Sequence, residues 1–127
     1  ESGSDAADLI MERAIRAQAF GDLDHARAMY DRVIAIQPGY AEAWNRRATV
    51  FLAQENYSEP LRDVNEALRL EPRHFGACGG LGAVLERLGS QNEAISAYEK
   101  ALEIYPLFPS AKRGISRIRR EQEGQPV

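Results

Sequence analysis

The strongest constraint on this chain is a spacing of 34 residues that recurs along most of its length. Pro38, Pro72 and Pro106 stand at this spacing, and each follows a stretch in which apolar residues return every three or four positions. That periodicity indicates amphipathic helices, which the proline then ends. A repeat of this length cannot bury its apolar face alone and stacks on its neighbours. The sequence therefore predicts an all-helical repeat protein.

Each repeat reads as one helix, a tight turn and a second helix, and six columns keep their character between repeats. These columns are Ala14, Ala48 and Gly82; Ala17, Phe51 and Leu85; Asp24, Ser58 and Asn92; Ala26, Pro60 and Ala94; Tyr30, Val64 and Tyr98; and Val33, Ala67 and Ala101. The predicted repeats are Ala7–Tyr40, Ala41–His74 and Phe75–Phe108, in a single domain over residues 1–127. A seventh helix over residues 109–123, apolar at Ile115 and Ile118, is predicted to cover the last repeat.

The starts of the second helices carry residues that suit an N-cap. We expect Asp24, Ser58 and Asn92 to act as caps, because their short side chains accept hydrogen bonds from free main-chain N–H groups. Pro60 then falls in the first turn of its helix, where no intrahelical hydrogen bond is lost.

The turns between paired helices need a residue that tolerates a left-handed backbone. Gly21 and Gly89 fill this role in the first and third repeats. The second repeat has Glu55 and Asn56 instead, and we expect Asn56 to take the left-handed conformation.

Composition sets further bounds. The net charge of −3 argues against general nucleic-acid binding, no apolar run is long enough to cross a membrane, and the single cysteine, Cys78, excludes an internal disulfide. The excess of 14 arginines over 2 lysines favours a bacterial source. Because the chain starts at Glu1, we expect a fragment or a processed product, located in the cytoplasm or, if a signal peptide was removed, in the periplasm.

The columns resemble the tetratricopeptide repeat family. Its pattern is a large aromatic residue, Leu-Gly, Tyr, Ala, an aromatic residue, Ala and a final Pro over one repeat. The matching residues are Trp44 for the first aromatic, Leu81-Gly82, Ala26 and Ala94 for the central Ala, Tyr30 and Tyr98 for the second aromatic, and Pro38, Pro72 and Pro106 for the end. The resemblance implies an α-solenoid of three antiparallel helix pairs with a right-handed superhelix and one terminal capping helix. It also implies a non-catalytic module that binds other proteins.

The same resemblance implies a concave groove lined by the first helix of each pair. A face about 120° from Trp44 at 100° per residue gives its lining. The predicted groove residues are Met11, Ile15, Gln18, Glu42, Asn45, Thr49, Leu52, Gly76, Gly79, Ala83 and Glu86, with Asp8 at the start. A protein or peptide partner is expected there, and an inner wall that only faces solvent is the alternative.

One subclass of this family grips a partner's C-terminal carboxylate with lysine, asparagine and arginine. Here only Asn45 is of a suitable type, so we expect an apolar or helical guest instead of a carboxylate clamp. The alternative function is a structural scaffold that self-associates into a homo-oligomer. No motif for catalysis, a metal or a cofactor is present, and His25 and His74 lack metal-ligand spacing.

Charged residues give two more expectations. Arg47 and Asp63 stand where the third repeat has Leu81 and Ala97, so they are predicted to pair across the helices of the second repeat. The cluster Lys112, Arg113, Arg117, Arg119 and Arg120 indicates either a solvated capping helix or an anion or nucleic-acid patch. Trp44 is predicted to be largely buried.

Overall fold

The computed structural model describes residues 4–124, and this part of the chain contains seven α-helices and no strand. The helices are α1 Asp5–Ala19, α2 Leu23–Ile36, α3 Ala41–Ala53, α4 Ser58–Leu70, α5 Phe75–Arg87, α6 Gln91–Ile104 and α7 Pro109–Gln122. The predicted all-helical fold is confirmed. The predicted capping helix begins at the expected Pro109, and both of its apolar residues, Ile115 and Ile118, are buried.

The chain divides after Pro72 into two compact units. In the first unit α1 packs on α2, α2 on α3 and α3 on α4. In the second unit α5 packs on α6, and α7 packs on both α6 and α5. Each predicted helix pair is therefore formed within one unit.

The turn inside each pair has the same backbone geometry. One residue takes a positive φ, which is 81° at Gly21, 61° at Glu55 and 85° at Gly89. The main-chain N–H of the following residue then reaches back over the helix end and caps a free carbonyl. These 2.9 Å bonds run from Asp22 to Ala17, from Asn56 to Phe51 and from Ser90 to Leu85.

The expectation that Asn56 adopts the left-handed conformation is wrong. Glu55 adopts it, because Glu55 occupies the column of Gly21 and Gly89 and the turn closes only with a positive φ at that place. Asn56 instead turns its side-chain carbonyl toward the start of α4, where Oδ1 accepts the main-chain N–H of Glu59 at 3.4 Å.

The predicted N-caps are also wrong by one or two positions. The second helices begin earlier than expected, with Asp22, Tyr57 and Ser90 at the cap and no side-chain cap bond at any of them. The predicted caps Asp24, Ser58 and Asn92 therefore lie inside the first turn. Pro60 does fall in that turn, as expected, and is buried.

Side-chain caps occur on two first helices instead. The hydroxyl of Ser4 accepts the N–H of Ala7 at 3.2 Å, at the start of α1. Nδ1 of His74 accepts the N–H of Ala77 at 2.9 Å, at the start of α5. His74 therefore serves as a helix cap.

The core of the first unit joins its first three helices. Its buried residues are Ala7, Ile10, Met11 and Ala14 of α1, Ala26, Tyr30 and Val33 of α2, and Ala43 and Val50 of α3. Ala17, predicted to point inward, is only half-buried beside this core.

Trp44, which was predicted to be largely buried, is intermediate in burial and keeps part of its surface. Its indole N–H donates to the main-chain carbonyl of Pro38 at 2.8 Å. The guanidinium of Arg47 lies over its ring, 5.1 Å from the centroid. An indole combines an apolar body with one polar N–H, so this position at the edge of the core satisfies both. The buried face of α3 is formed by smaller residues, among them Ala43 and Ala48.

The predicted pairing of Arg47 with Asp63 is confirmed. Nε and Nη2 of Arg47 donate to the two carboxylate oxygens of Asp63, both at 2.8 Å. Nη1 donates to Asp31 of α2 at 2.9 Å, so one guanidinium joins α2, α3 and α4. Asp63 is fully buried, and burial raises its pKa while Arg47 opposes the shift. Two parallel bonds of this kind are the strongest form of ion pair in proteins.

The second unit packs around Tyr98, whose ring lies in a slot between two glycines. A Cβ atom at Gly82 of α5 would lie 2.6 Å from Cδ1 of the ring. A Cβ atom at Gly114 of α7 would lie 2.5 Å from Cε2 on the other edge. Real Cβ atoms do not approach other atoms so closely, so both backbones must be bare there. The cost of glycine in a helix is offset by this packing.

We predict that replacing Glu55 by glycine stabilises the first unit. The free energy of unfolding should rise by about 0.5–1 kcal/mol, because a residue with a side chain is strained at positive φ and glycine is not. Urea denaturation followed by circular dichroism measures the change. Gly39→Ala is the control, since a Cβ atom there meets nothing within 4 Å. Equal or lower stability of Glu55→Gly would show that the turn is not strained.

The slot around Tyr98 predicts an overpacking penalty. Gly82→Ala and Gly114→Ala should each lower the free energy of unfolding by about 1–3 kcal/mol, because the added methyl group collides with the ring. In a Tyr98→Val background, which copies Val64 of the second repeat, Gly82→Ala should cost much less. The same penalty in both backgrounds, measured by urea denaturation, would contradict the slot.

The ion pair predicts strong coupling between its two residues. Arg47→Leu should lower the free energy of unfolding by about 3–5 kcal/mol, because it leaves the buried Asp63 carboxylate unpaired. Adding Asp63→Ala should recover much of that loss, since Leu and Ala already fill these columns in the third repeat. A double-mutant cycle from chemical denaturation gives the coupling energy, with the exposed Arg62→Leu as the control. A coupling near zero would rule out a stabilising pair.

Candidate functional site

The predicted groove residues of α1 are placed differently from one another. Met11 is only 3% exposed and belongs to the core of the first unit, so its prediction as a groove residue is wrong. Ile15 is half-buried and packs beside this core. Gln18 is half-buried, and its side-chain oxygen accepts the hydroxyl of Tyr30 at 2.5 Å. Asp8, Ile15 and Gln18 keep a share of surface on this side of α1.

The four predicted residues of α3 lie one turn apart along the helix. Glu42 accepts a 2.8 Å bond from Nε of Arg46. Thr49 is exposed, and its hydroxyl donates to the main-chain carbonyl of Asn45 at 3.2 Å. Leu52 is half-buried and gives this face an apolar end.

Asn45 is the polar residue of α3 with an unmet hydrogen-bonding atom. Its Oδ1 is buried and has no hydrogen-bond partner among residues 4–124. A buried acceptor without a partner carries a free-energy cost of about 1–3 kcal/mol. Such a group in a folded protein calls for an explanation, and a ligand is one of them.

The predicted residues of α5 divide in the same way. Gly79 is buried beneath the ring of Phe108, and a Cβ atom there would lie 2.8 Å from Cε2 of that ring. Its prediction as a groove residue is therefore wrong. The backbone at Gly79 must be bare because the Phe108 ring, which also packs edge-on against Phe75, occupies the space of a side chain. Gly76 and Ala83 are half-buried and keep some surface.

Glu86 is the centre of a polar network that joins the three helices of the second unit. Its Oε1 accepts the hydroxyl of Tyr98 at 2.9 Å and Nη2 of Arg117 at 2.8 Å. Its Oε2 accepts Nε of Arg117 at 2.5 Å. The Arg117 guanidinium lowers the pKa of Glu86, while burial together with Glu86 raises the pKa of Tyr98.

The bond from Tyr98 to Glu86 has a counterpart in the first unit. Tyr30 and Gln18 stand in the same two columns and also bond to each other. The second repeat has Val64 and Leu52 in these columns, an apolar pair in place of a polar one. Two of the predicted groove residues, Gln18 and Glu86, therefore also hold a helix pair together.

The sequence-based prediction missed the part that α7 takes in this network. At the spacing of the repeats, Arg117 falls in the column of Ala83, and Arg120 falls in the column of Glu86. Extending the repeat register one helix further would have placed these arginines beside the predicted groove residues of α5. The pairing of Arg117 with Glu86 needed the tertiary structure.

Within 4–124, no three His, Cys, Asp or Glu side chains are grouped closely enough to hold a metal ion. Cys78 is buried, and burial raises the pKa of its thiol. Over the same residues, no helix is long and apolar enough to cross a membrane.

Comparison with known sequences points to one family. The sequence profile of the tetratricopeptide repeat matches residues 11–59 and 48–109. A TPR repeat-containing protein of Rhizobium etli is 36% identical over 124 residues, which cover 98% of this chain and 61% of the relative. The heat shock protein STI1 of Saccharomyces cerevisiae is 28% identical over 106 residues, which cover 82% of this chain and 18% of the relative. The chain thus spans less than two thirds of these curated relatives.

Solved structures share the fold. The TPR domain of Sgt2 from Aspergillus fumigatus has a TM-score of 0.89 at 21% identity, over 98% of this chain and 87% of that one. The second TPR domain of human RPAP3, in complex with the HSP70 peptide SGPTIEEVD, has a TM-score of 0.80 at 25% identity, over 89% and 98%. The first TPR of Spaghetti (RPAP3), bound to the HSP90 peptide SRMEEVD, has a TM-score of 0.86 at 22% identity, over 92% and 93%. With its profile match, its helix pairs and these neighbours, this chain belongs to the tetratricopeptide repeat family.

Proposed function

We propose that this chain is a non-catalytic protein-interaction module that binds a peptide or a short helical segment of another protein against the first helices of its repeats. The observation that carries this proposal is the unpartnered Oδ1 of Asn45 on α3. Membership of a family whose solved neighbours include two peptide complexes supports the same class of function.

The side-chain amide of Asn45 can form hydrogen bonds with a peptide main chain. Its amide provides one acceptor and two donors, which can match a backbone C=O and N–H when the amide rotates. Thr49, one turn further on, is exposed and offers a hydroxyl. Leu52 adds apolar surface on the same helix. A guest can meet the Asn45 oxygen only after the amide rotates and brings this oxygen to the surface, and the rotation removes the free-energy cost of its burial.

The guest differs from the peptides bound by the two RPAP3 structures, whose sequences both end in EEVD. A grip on a terminal carboxylate needs cations on the first helices. This chain has Met11, Gly79 and Ala83 in the relevant columns, and the first two are buried. We propose a guest held through its side chains and main chain, with no requirement for a free C-terminus.

Self-association is a second candidate function. The observation that favours it is an exposed aromatic pair in the second unit, Phe75 and Tyr105, which are 41% and 40% exposed and whose ring centroids lie 5.0 Å apart. Exposed apolar residues of this size mark interaction surfaces when they cluster. Sedimentation over a range of concentrations separates the two functions, because the peptide-binding module is expected to stay monomeric.

The proposal predicts an Asn45-dependent peptide affinity. Peptides selected from a random phage-displayed library should lose about tenfold in affinity on Asn45→Ala, which corresponds to roughly one hydrogen bond. Isothermal titration calorimetry measures the loss. Asn65→Ala is the matched control, because Asn65 is an exposed asparagine of α4. Failure to select any peptide, or equal losses for the two variants, would contradict the proposal.

The same calorimetry tests the form of the guest. SRMEEVD and its C-terminal amide should bind this chain equally weakly, because no clamp distinguishes them. A strong preference for the free carboxylate would show that a clamp exists and that the proposed guest is wrong.

A further inference from the structure

We propose that the exposed basic side of α7 docks an acidic segment of a partner protein, one that presents several aspartate or glutamate side chains. This side, termed the α7 basic face, consists of Lys112, Arg113, Ser116, Arg117 and Arg120, which surround a shallow depression of about 260 Å³. The inference rests on the proposed function and adds the chemistry of the partner and a surface that recognises it.

The cations of this face are aligned by helical spacing. Arg113, Arg117 and Arg120 follow one another at intervals of four and three residues, which places them on one side of the helix. Lys112 and Ser116 form the neighbouring row. All five residues are exposed. The row of hydroxyl, ammonium and guanidinium groups presents hydrogen-bond donors along about two turns.

Most of this positive charge is not compensated within the protein. Arg117 pairs with Glu86, but Lys112, Arg113 and Arg120 form no ion pair with any residue in 4–124. Two nearby carboxylates are engaged elsewhere, whereas the exposed Glu123, three residues after Arg120, lowers the local positive charge. Glu121 accepts a 3.0 Å bond from Gln91 of α6, and Glu99 pairs with Arg119 on another side of α7.

Arg117 has a fixed position at the centre of the face. Both oxygens of Glu86 hold its guanidinium, and Glu86 is itself held by the hydroxyl of Tyr98. The side chain of Glu86 is 14% exposed and pairs with Arg117 inside the unit, so its negative charge contributes little to the electric field at the surface. The depression therefore has a rigid centre and three free cations around it, which suits several carboxylates more than one.

An acidic polypeptide fits this face better than a nucleic acid. The net charge of −3 opposes any polyanion, and it opposes a long nucleic acid more than a short acidic segment that covers only the basic face. The basic residues occupy one helix, and the described part of that helix shows no exposed aromatic side chain on which a base could stack. Carboxylates spaced along an extended peptide can instead meet single guanidinium groups in charge-assisted hydrogen bonds.

The test uses fluorescence anisotropy with a fluorescein-labelled peptide of alternating glutamate and serine. Its control peptide replaces every glutamate by glutamine. The wild-type chain should bind the glutamate peptide about tenfold more tightly than the glutamine peptide, and the difference should shrink at high salt because exposed charges are screened. Equal binding of the two peptides would overturn the proposal.

Charge reversal locates the binding surface. Arg113→Glu with Arg120→Glu should weaken binding of the glutamate peptide by about tenfold or more, since the peptide carboxylates lose two cations and meet two like charges. The matched control is Arg13→Glu with Arg16→Glu, which changes the net charge equally beside another depression of about 270 Å³ on α1. Thermal unfolding should be unchanged in both variants because all four arginines are exposed. Equal weakening by the two double variants would show only a long-range charge effect and overturn the proposal.

Two further outcomes separate this inference from the proposed function. In the first outcome, the selected library peptides lose affinity on Asn45→Ala, carry no excess of acidic residues, and bind the Arg113→Glu, Arg120→Glu variant as tightly as the wild type. This result would overturn the acidic partner and leave the proposed function standing. Failure to select any library peptide would remove the proposed function itself. An oligothymidylate that displaces the glutamate peptide and depends on the same two arginines would assign the face to nucleic acid and overturn the peptide proposal.

Discussion

Close approach of the two helices in each pair is the constraint on which the other contacts depend. Ala14 faces this contact from α1 and Ala26 from α2, and both are fully buried. In the third pair the same columns hold Gly82 and Ala94, and the missing Cβ atom of Gly82 leaves room for the Tyr98 ring. In the second pair the column of Ala26 holds Pro60, which is buried. Proline is tolerated at this place because it lies in the first turn, where a missing N–H breaks no hydrogen bond. Three different residue types thus serve one geometric requirement.

Much of the fold could be predicted because apolar periodicity and repeat columns report directly on burial along a helix. The errors arose where a residue's chemical preference was given more weight than its column. Glu55 shares a column with Gly21 and Gly89, and the column correctly indicates a positive φ. Asparagine tolerates that conformation better, but Asn56 stands one residue too late. Trp44 was placed on the inward stripe of its helix, and its N–H and ring face find their partners at the edge of the core.

The candidate site could be predicted less well, because residues of one column are buried to different degrees in different repeats. The predicted groove face was measured as an angle from Trp44, as if that residue marked the centre of the buried side. The column of Trp44 does face inward, because Ile10 and Cys78 occupy it in the other two repeats and are buried. Met11 and Gly79, which share the column of Asn45, nevertheless lie inside, Met11 in the core of the first unit and Gly79 beneath Phe108. Only tertiary structure supplies the true centre of a buried helix face.

The charges of α7 need an explanation beyond solubility. A terminal helix must present a polar outer face, and a mixture of acidic and basic residues would solvate it equally well. Like charges separated by three or four residues on a helix repel each other, at a cost of about 0.2–0.5 kcal/mol per pair. Repulsion of this kind acts between Arg113, Arg117 and Arg120. The positive charge of Arg47 is instead compensated by Asp63 and Asp31, inside the protein. Lys112, Arg113 and Arg120 form no ion pair within residues 4–124, although Glu121 and Glu123 follow them in the sequence, and this is consistent with compensation by a partner.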